Sequence, residues 1–250
     1  MLQADIREHP AGAVLVLGIS AAGWLFLAWL ATDMTSALAQ LVMPMSPDWS
    51  ASVLLAVWSM WCVMMVAMML PSALPMILTF VQVAQRNGEA ARAHAFVAAY
   101  VLVWLGFGAA CTAGQWALQR FDALDAMALR SSAAATVWLL LVAGLYQFSP
   151  LKRVCLASCR TPFAFLLGEW RPGTGGAFRM GLRHGLLCLG CCWALMALLF
   201  AGGAMNVPWV AALAVAVAIE KLAPGGERIA GVLGVGLIGA GLIRWVLVGM

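Results

Sequence analysis

The feature that most constrains the fold is a run without charged side chains from Ala51 through Gln85. This run exceeds the roughly 20 apolar residues that a helix needs to cross the hydrocarbon core of a bilayer. Soluble domains carry about 25% charged residues, whereas this 250-residue chain carries 10% and is 64% hydrophobic. The sequence therefore predicts an all-α, polytopic membrane protein.

Apolar runs separated by polar links predict one transmembrane domain over residues 1–250, with about seven transmembrane helices. The predicted spans are 11–31, 52–83, 94–118, 133–148, 184–205, 208–219 and 229–248, and the longest link is a cysteine-containing loop at 149–183. The net charge of +4 lies in the links. It is therefore a signal of topology rather than a nucleic-acid-binding surface.

Basic residues predict the orientation, because they concentrate in cytoplasmic loops. With the N-terminus inside, eleven of them face the cytoplasm and three face outward. The inner set is Arg7, Arg86, Arg92, Lys152, Arg153, Arg160, Arg171, Arg179, Arg183, Lys221 and Arg228, and the outer set is Arg120, Arg130 and Arg244. The sequence thus predicts an N-terminus inside and a cytoplasmic loop at 149–183.

The charge-free run is also rich in sulfur. Ten residues hold the thiol of Cys62 and the thioethers of Met60, Met64, Met65, Met68 and Met69. At about 100° per residue these side chains form two stripes on a helix. Two interpretations stay open: methionine is a flexible filler of membrane cores, and thioethers also line routes for soft ions such as Cu(I).

Two cysteine clusters lie further along the chain. The first holds Cys155 and Cys159, and the second holds His184, Cys188, Cys191, Cys192 and Met196. On a helix His184, Cys188 and Cys191 share one face, with axial steps of about 6 Å and about 4.5 Å. This spacing favours a series of separate metal-binding positions along the helix over one closed four-coordinate site. A single buried cysteine packs as a small hydrophobe, but four donors in nine residues favour metal binding.

Copper is the metal that this donor set favours, since thioethers suit Cu(I) and not zinc. Zinc stays open through the Cys155 and Cys159 pair, and heme through His184 or His94, although no C-x-x-C-H signature occurs. A disulfide-forming enzyme is disfavoured, because cytoplasmic thiols stay reduced. Possible outer-sphere residues are Cys62, Glu220 and Lys152, while Tyr100, Trp104, Tyr146 and Gln147 are interpreted as interfacial or packing residues.

These features predict a non-enzymatic role, the binding of Cu(I) inside a membrane bundle, with no catalytic residues. Three alternatives stay open. The first is a membrane redox enzyme or subunit that uses heme or a metal, the second is a metal transporter, and the third is a scaffolding subunit of a larger membrane complex whose cysteines only pack.

Four segments resemble a known bacterial family, the predicted metal-binding integral membrane proteins, which include the membrane copper chaperone encoded with tyrosinase. The segments are W-C-V-M-M-V-A-M-M-L-P at 61–71, Y-Q-F-S-P-L-K-R-V-C-L-A-S-C-R-T-P at 146–162, G-L-R-H-G-L-L-C-L-G-C-C-W-A-L-M at 181–196 and E-K-L-A-P at 220–224. The resemblance implies a chaperone in the bacterial inner membrane that passes copper to a recipient copper enzyme.

Overall fold

The computed structural model describes residues 10–88, 90–125 and 129–248. Arg7, which is predicted to face the cytoplasm, lies outside these residues. The helices are α1 Pro10–Thr32, α2 Ala37–Val42, α3 Ala51–Arg86, α4 Ala93–Arg120, α5 Ala133–Tyr146, α6 Pro150–Arg160, α7 Pro162–Glu169, α8 Gly173–Ala197, α9 Leu199–Gly202, α10 Val207–Leu222 and α11 Gly226–Val248. A 3₁₀ turn at Ala90–Arg92 and a short antiparallel pair, β1 Leu124–Asp125 with β2 Arg130–Ser131, complete the described elements.

The all-α, membrane-type fold is confirmed. Within the described residues, five helices are long and apolar enough to cross a membrane: α1, α3, α4, α8 with its continuation α9, and α11. The bent pair α5 and α6, with 66° between its two parts, makes a sixth if it counts as one span. The predicted span 208–219 is the 16-residue helix α10, which is shorter than the roughly 20 residues of a full crossing. The count of seven and the orientation stay predictions.

The segment 149–183 differs from the predicted loop, because most of it is helical. Ser149 caps α6 by accepting a hydrogen bond from the backbone N–H of Lys152, and Pro150 occupies the first turn, where proline is tolerated. The polar residues of Pro150–Arg160 belong to an amphipathic helix, α6, whose buried face includes Lys152 and Cys155. The predicted fifth span likewise starts earlier, because α8 begins at Gly173.

Helix α3 runs without interruption through Pro71 and Pro75. A proline has no N–H to donate to the carbonyl four residues before it, so Pro71 leaves the carbonyl of Ala67 without its helical partner. The Ser20 hydroxyl of α1 donates to that oxygen at 2.6 Å. This contact satisfies a buried polar group and fixes α1 against the methionine-rich part of α3.

Small residues set the position of α8 against α4. A Cβ atom added at Gly181 would overlap the backbone carbonyl of Phe96, and one at Gly185 would lie 2.8 Å from Val103. Glycines four residues apart allow two helix backbones to approach closely in lipid. The close approach brings the following turn of α8, which contains Cys188, to the buried side of α4.

Candidate metal centre

Cys188 lies at the centre of a buried polar cluster to which α3, α4 and α10 contribute side chains. Its side chain is 1% exposed, and the Tyr100 hydroxyl of α4 lies 3.2 Å from its sulfur. The same hydroxyl donates to the carbonyl oxygen of Met69 in α3 at 3.1 Å. The cysteine helix and the methionine helix therefore meet at one point.

A buried ammonium group also reaches this sulfur. Lys221 of α10 places Nζ 2.9 Å from Cys188 Sγ and 3.1 Å from the hydroxyl oxygen of Ser72. Ser72 donates its own proton to the carbonyl of Met69, so its lone pairs are free to accept from Lys221. An ammonium at hydrogen-bonding distance favours the thiolate form of a cysteine, which is the form that binds metals.

Cys191 and Cys192 belong to the same turn, and both thiols donate to the backbone carbonyl of Cys188 at 3.0 Å. Among the residues that the structure describes, no three His, Cys, Asp or Glu side chains are preformed as a metal site. The thiols of Cys191 and Cys192 thus lie close together, but both donate to the backbone carbonyl of Cys188. Binding of a metal by Cys191 or Cys192 requires a rotation of the side chain away from that oxygen.

The first cysteine cluster meets the second in space. Cys159 of α6 is close enough to interact with the thiols of Cys188 and Cys191. Cys155 packs against Gly190, where an added Cβ would lie 2.7 Å from its sulfur. All seven cysteines are described and free, and Cys159 alone among them is partly exposed. The sulfur cluster therefore includes one cysteine residue that is not fully buried.

His184 lies one turn before Cys188 and is 2% exposed. Its ring packs against those of Phe96, Tyr100 and Phe165, with centroids 6.0, 5.5 and 5.7 Å away. Neither ring nitrogen has a hydrogen-bond partner among the described residues. Buried polar groups are nearly always satisfied, so this unpaired imidazole suits a soft or borderline metal ion as a ligand.

A buried ion pair flanks the cluster. Lys152 Nζ lies 2.7 Å from a carboxylate oxygen of Glu220, and both side chains are 1% exposed. The Arg160 guanidinium donates to the backbone carbonyl of Glu220 at 2.6 Å. These contacts join α6 to α10. The Glu220 carboxylate is hydrogen-bonded to Lys152, whereas the neighbouring Lys221 is hydrogen-bonded to the Cys188 thiol.

The candidate methionines are all inside the bundle. Met60, Met64, Met65, Met68, Met69 and Met196 are at most 3% exposed. Contact with lipid is therefore not the reason for their enrichment. Cys62 instead lies against α4, where a Cβ at Gly108 would be 3.1 Å from its sulfur. The structure does not bring Cys62 to the Cys188 cluster through any described contact.

Sequence reasoning missed Tyr100, Ser72 and Lys221 as members of the site. The sequence contains one feature that points to Lys221. The chain has only two lysines, Lys152 and Lys221, and the other twelve of its 14 Lys and Arg residues are arginines. Both lysines are buried. Lysine is a compact point charge on a flexible stem, so these two residues were candidates for a buried counter-ion.

The chain matches a protein-family model described as "PpoB2: Copper chaperone" over residues 58–244. This range covers more than half of the chain and includes the sulfur-rich part of α3, the cysteines of α6 and α8, and Lys221. No curated protein and no solved structure shows significant similarity to the chain.

Proposed function

The chain belongs to a copper chaperone family, and from this premise we propose that it holds Cu(I) at the Cys188 thiol cluster inside a membrane. The recipient is a copper enzyme to which the ion is passed. The proposed location is the bacterial inner membrane, with the N-terminus in the cytoplasm. The role is transfer of an ion without chemical conversion of a substrate.

The observation that carries this proposal is the meeting of soft donors from two helices. Cys159 interacts with Cys188 and Cys191, and an unpaired imidazole lies one turn away. Thiolate ligands bind Cu(I) and also Zn(II), and the additional thioether ligands of the α3 methionines favour Cu(I). A site that merely packed cysteines as hydrophobes would not require a buried ammonium beside one of them.

The exposure of the donors supports an order of transfer. Cys159 is partly exposed, whereas Cys188 and Cys191 are buried, so Cys159 is the proposed point of entry. From the buried thiols the ion moves along Met69 and Met65 of α3. The carbonyl contact between Tyr100 and Met69 supports this route, because it brings that part of α3 to the cluster.

The remaining candidates take supporting roles in this proposal. Cys155, His184, Cys192 and Met196 supply further donors along α6 and α8, and Met60, Met64 and Met68 extend the sulfur surface of α3. The Lys152 and Glu220 pair holds α6 in register with α10. Cys62 is a proposed outer residue of the methionine route.

Copper transfer tests the proposal directly. The protein is reconstituted in phospholipid vesicles, loaded with Cu(I) without oxygen and separated from free copper, and an apo-tyrosinase is then added with a Cu(I) chelator too weak to strip the loaded protein. We expect the enzyme to gain copper and activity. An enzyme that stays inactive with loaded protein, but is activated by free copper, would contradict a chaperone role.

A matched variant makes the transfer experiment specific. The substitution Cys159→Ser removes the thiol of the partly exposed cysteine and leaves those of Cys188, Cys191 and Cys192 intact. We expect slower loading with unchanged copper content at equilibrium. Loading at the wild-type rate would remove Cys159 from the entry route.

A further inference from the structure

We propose that Lys221 selects the charge of the ion, so that the site accepts monovalent Cu(I) in preference to divalent metals. This inference rests on the proposed function, since it concerns the same thiol cluster. It assigns to Lys221 a role in specificity rather than in coordination.

The surroundings of Lys221 support this role. Its contacts in the described structure are a thiol sulfur and a hydroxyl, Cys188 Sγ and Ser72 Oγ. The neighbouring carboxylate of Glu220 is engaged with Lys152 at 2.7 Å. Lys221 is 5% exposed, and the Cys188 thiol is the ionisable group that its ammonium contacts.

A charge count then distinguishes the metals. In a site where two cysteine thiolates bind the metal, the thiolates contribute a formal charge of −2, Cu(I) contributes +1 and the Lys221 ammonium contributes +1. The sum is zero, so the loaded site is neutral. With Zn(II) in place of Cu(I) the same site carries +1. A net charge in apolar surroundings is costly, so the ammonium favours the monovalent ion.

The geometry allows the ammonium to remain while the metal binds. An ammonium has three donors, and Ser72 holds one of them on the side of α3. A thiolate has lone pairs for both a hydrogen bond and a metal ion. Lys221 therefore stays beside Cys188 as a counter-ion in the loaded state.

The test is a competition between two metals. Wild-type protein and the variants Lys221→Met and Lys221→Gln are titrated anaerobically in detergent with Cu(I) and with Zn(II) against chelators of known affinity. We expect the ratio of the Cu(I) and Zn(II) dissociation constants to shift toward zinc by on the order of 100-fold in both variants. The glutamine retains polar contacts and guards against failure of the methionine variant to fold.

Two controls separate charge from structure. Lys221→Arg retains the positive charge and should keep most of the wild-type ratio. Arg120→Met removes an exposed positive charge at the end of α4, outside the thiol cluster, and should leave the ratio unchanged. A wild-type ratio in Lys221→Gln would overturn the inference while leaving the proposed function intact. Wild-type protein that binds no Cu(I) would instead overturn the proposed function.

Discussion

The Tyr100 hydroxyl lies 3.2 Å from the Cys188 sulfur, and this contact joins two residues that are 88 positions apart in the chain. Through its second contact, to the carbonyl of Met69 at 3.1 Å, the tyrosine also reaches α3. The candidate site thus depends on the packing of α3, α4 and α8. A peptide that contained only the cysteine motif of α8 would lack the groups that surround it.

His184 provides a prediction that separates a ligand from a packing residue. The substitution His184→Leu removes an imidazole whose nitrogens have no partner in the described structure. We expect the free energy of unfolding of the metal-free protein to stay the same or to rise by about 1 kcal/mol. The affinity for Cu(I) should fall by roughly tenfold or more.

Unfolding in detergent and Cu(I) competition titrations supply both quantities for His184. Phe165→Leu, which changes a neighbouring ring in contact with the imidazole, serves as a packing control that should retain copper affinity. A loss of stability with unchanged copper affinity in His184→Leu would show that the imidazole only packs.

The ion pair of Lys152 and Glu220 gives a second prediction. Loss of one member of a buried pair leaves an uncompensated charge, so Lys152→Met or Glu220→Gln alone should lower the free energy of unfolding by about 3–5 kcal/mol. The double variant should recover most of this loss. Denaturation of the four proteins in a double-mutant cycle gives the coupling energy.

An exposed ion pair in the same protein is the matched control. Arg183 lies 3.1 Å from Glu169, with side chains 60% and 23% exposed, and its removal should cost only about 0–1 kcal/mol. Equal effects for the two pairs would mean that the Lys152 and Glu220 pair is solvated rather than buried between α6 and α10.

Gly181 gives a third prediction, about the position of α8. Gly181→Ala places a methyl group on the backbone carbonyl of Phe96, which cannot rotate aside, so we expect a loss of about 1–3 kcal/mol in the free energy of unfolding. Gly239→Ala, in a helix position with nothing within 4 Å, should be neutral or stabilising. Thermal unfolding in detergent compares the two. Equal stability would contradict the close contact between α8 and α4.

Hydropathy predicted the long helices because lipid forces each apolar span to satisfy its own backbone. Hydropathy does not predict the helices that lie outside the long apolar spans, where this requirement is weaker. The polar composition of Pro150–Arg160 predicts a loop, yet this segment is an amphipathic helix with Lys152 and Cys155 on its buried face. Composition alone does not separate these cases, whereas the period of the buried residues does.

The candidate site was predictable only where its residues are close in sequence. Helical periodicity placed His184, Cys188 and Cys191 on one face, and all three are buried. The contacts of Tyr100 and Lys221 with Cys188 depend on tertiary packing across 88 and 33 residues. No local sequence pattern encodes contacts across such separations in the chain, so the sequence alone predicts a packing role for Tyr100 and a topological role for Lys221.

The central claim is that the buried thiols hold copper, and the copper content of the purified protein tests it most directly. Copper, zinc and iron are counted per chain after anaerobic purification of the wild type, of Cys188→Ser/Cys191→Ser and of the control Cys111→Ser. We expect about one copper ion per chain in the wild type and the control, and almost none in the double variant, because serine is a poor ligand for Cu(I). A folded double variant with wild-type copper content, or a wild type that carries no copper, would contradict the account.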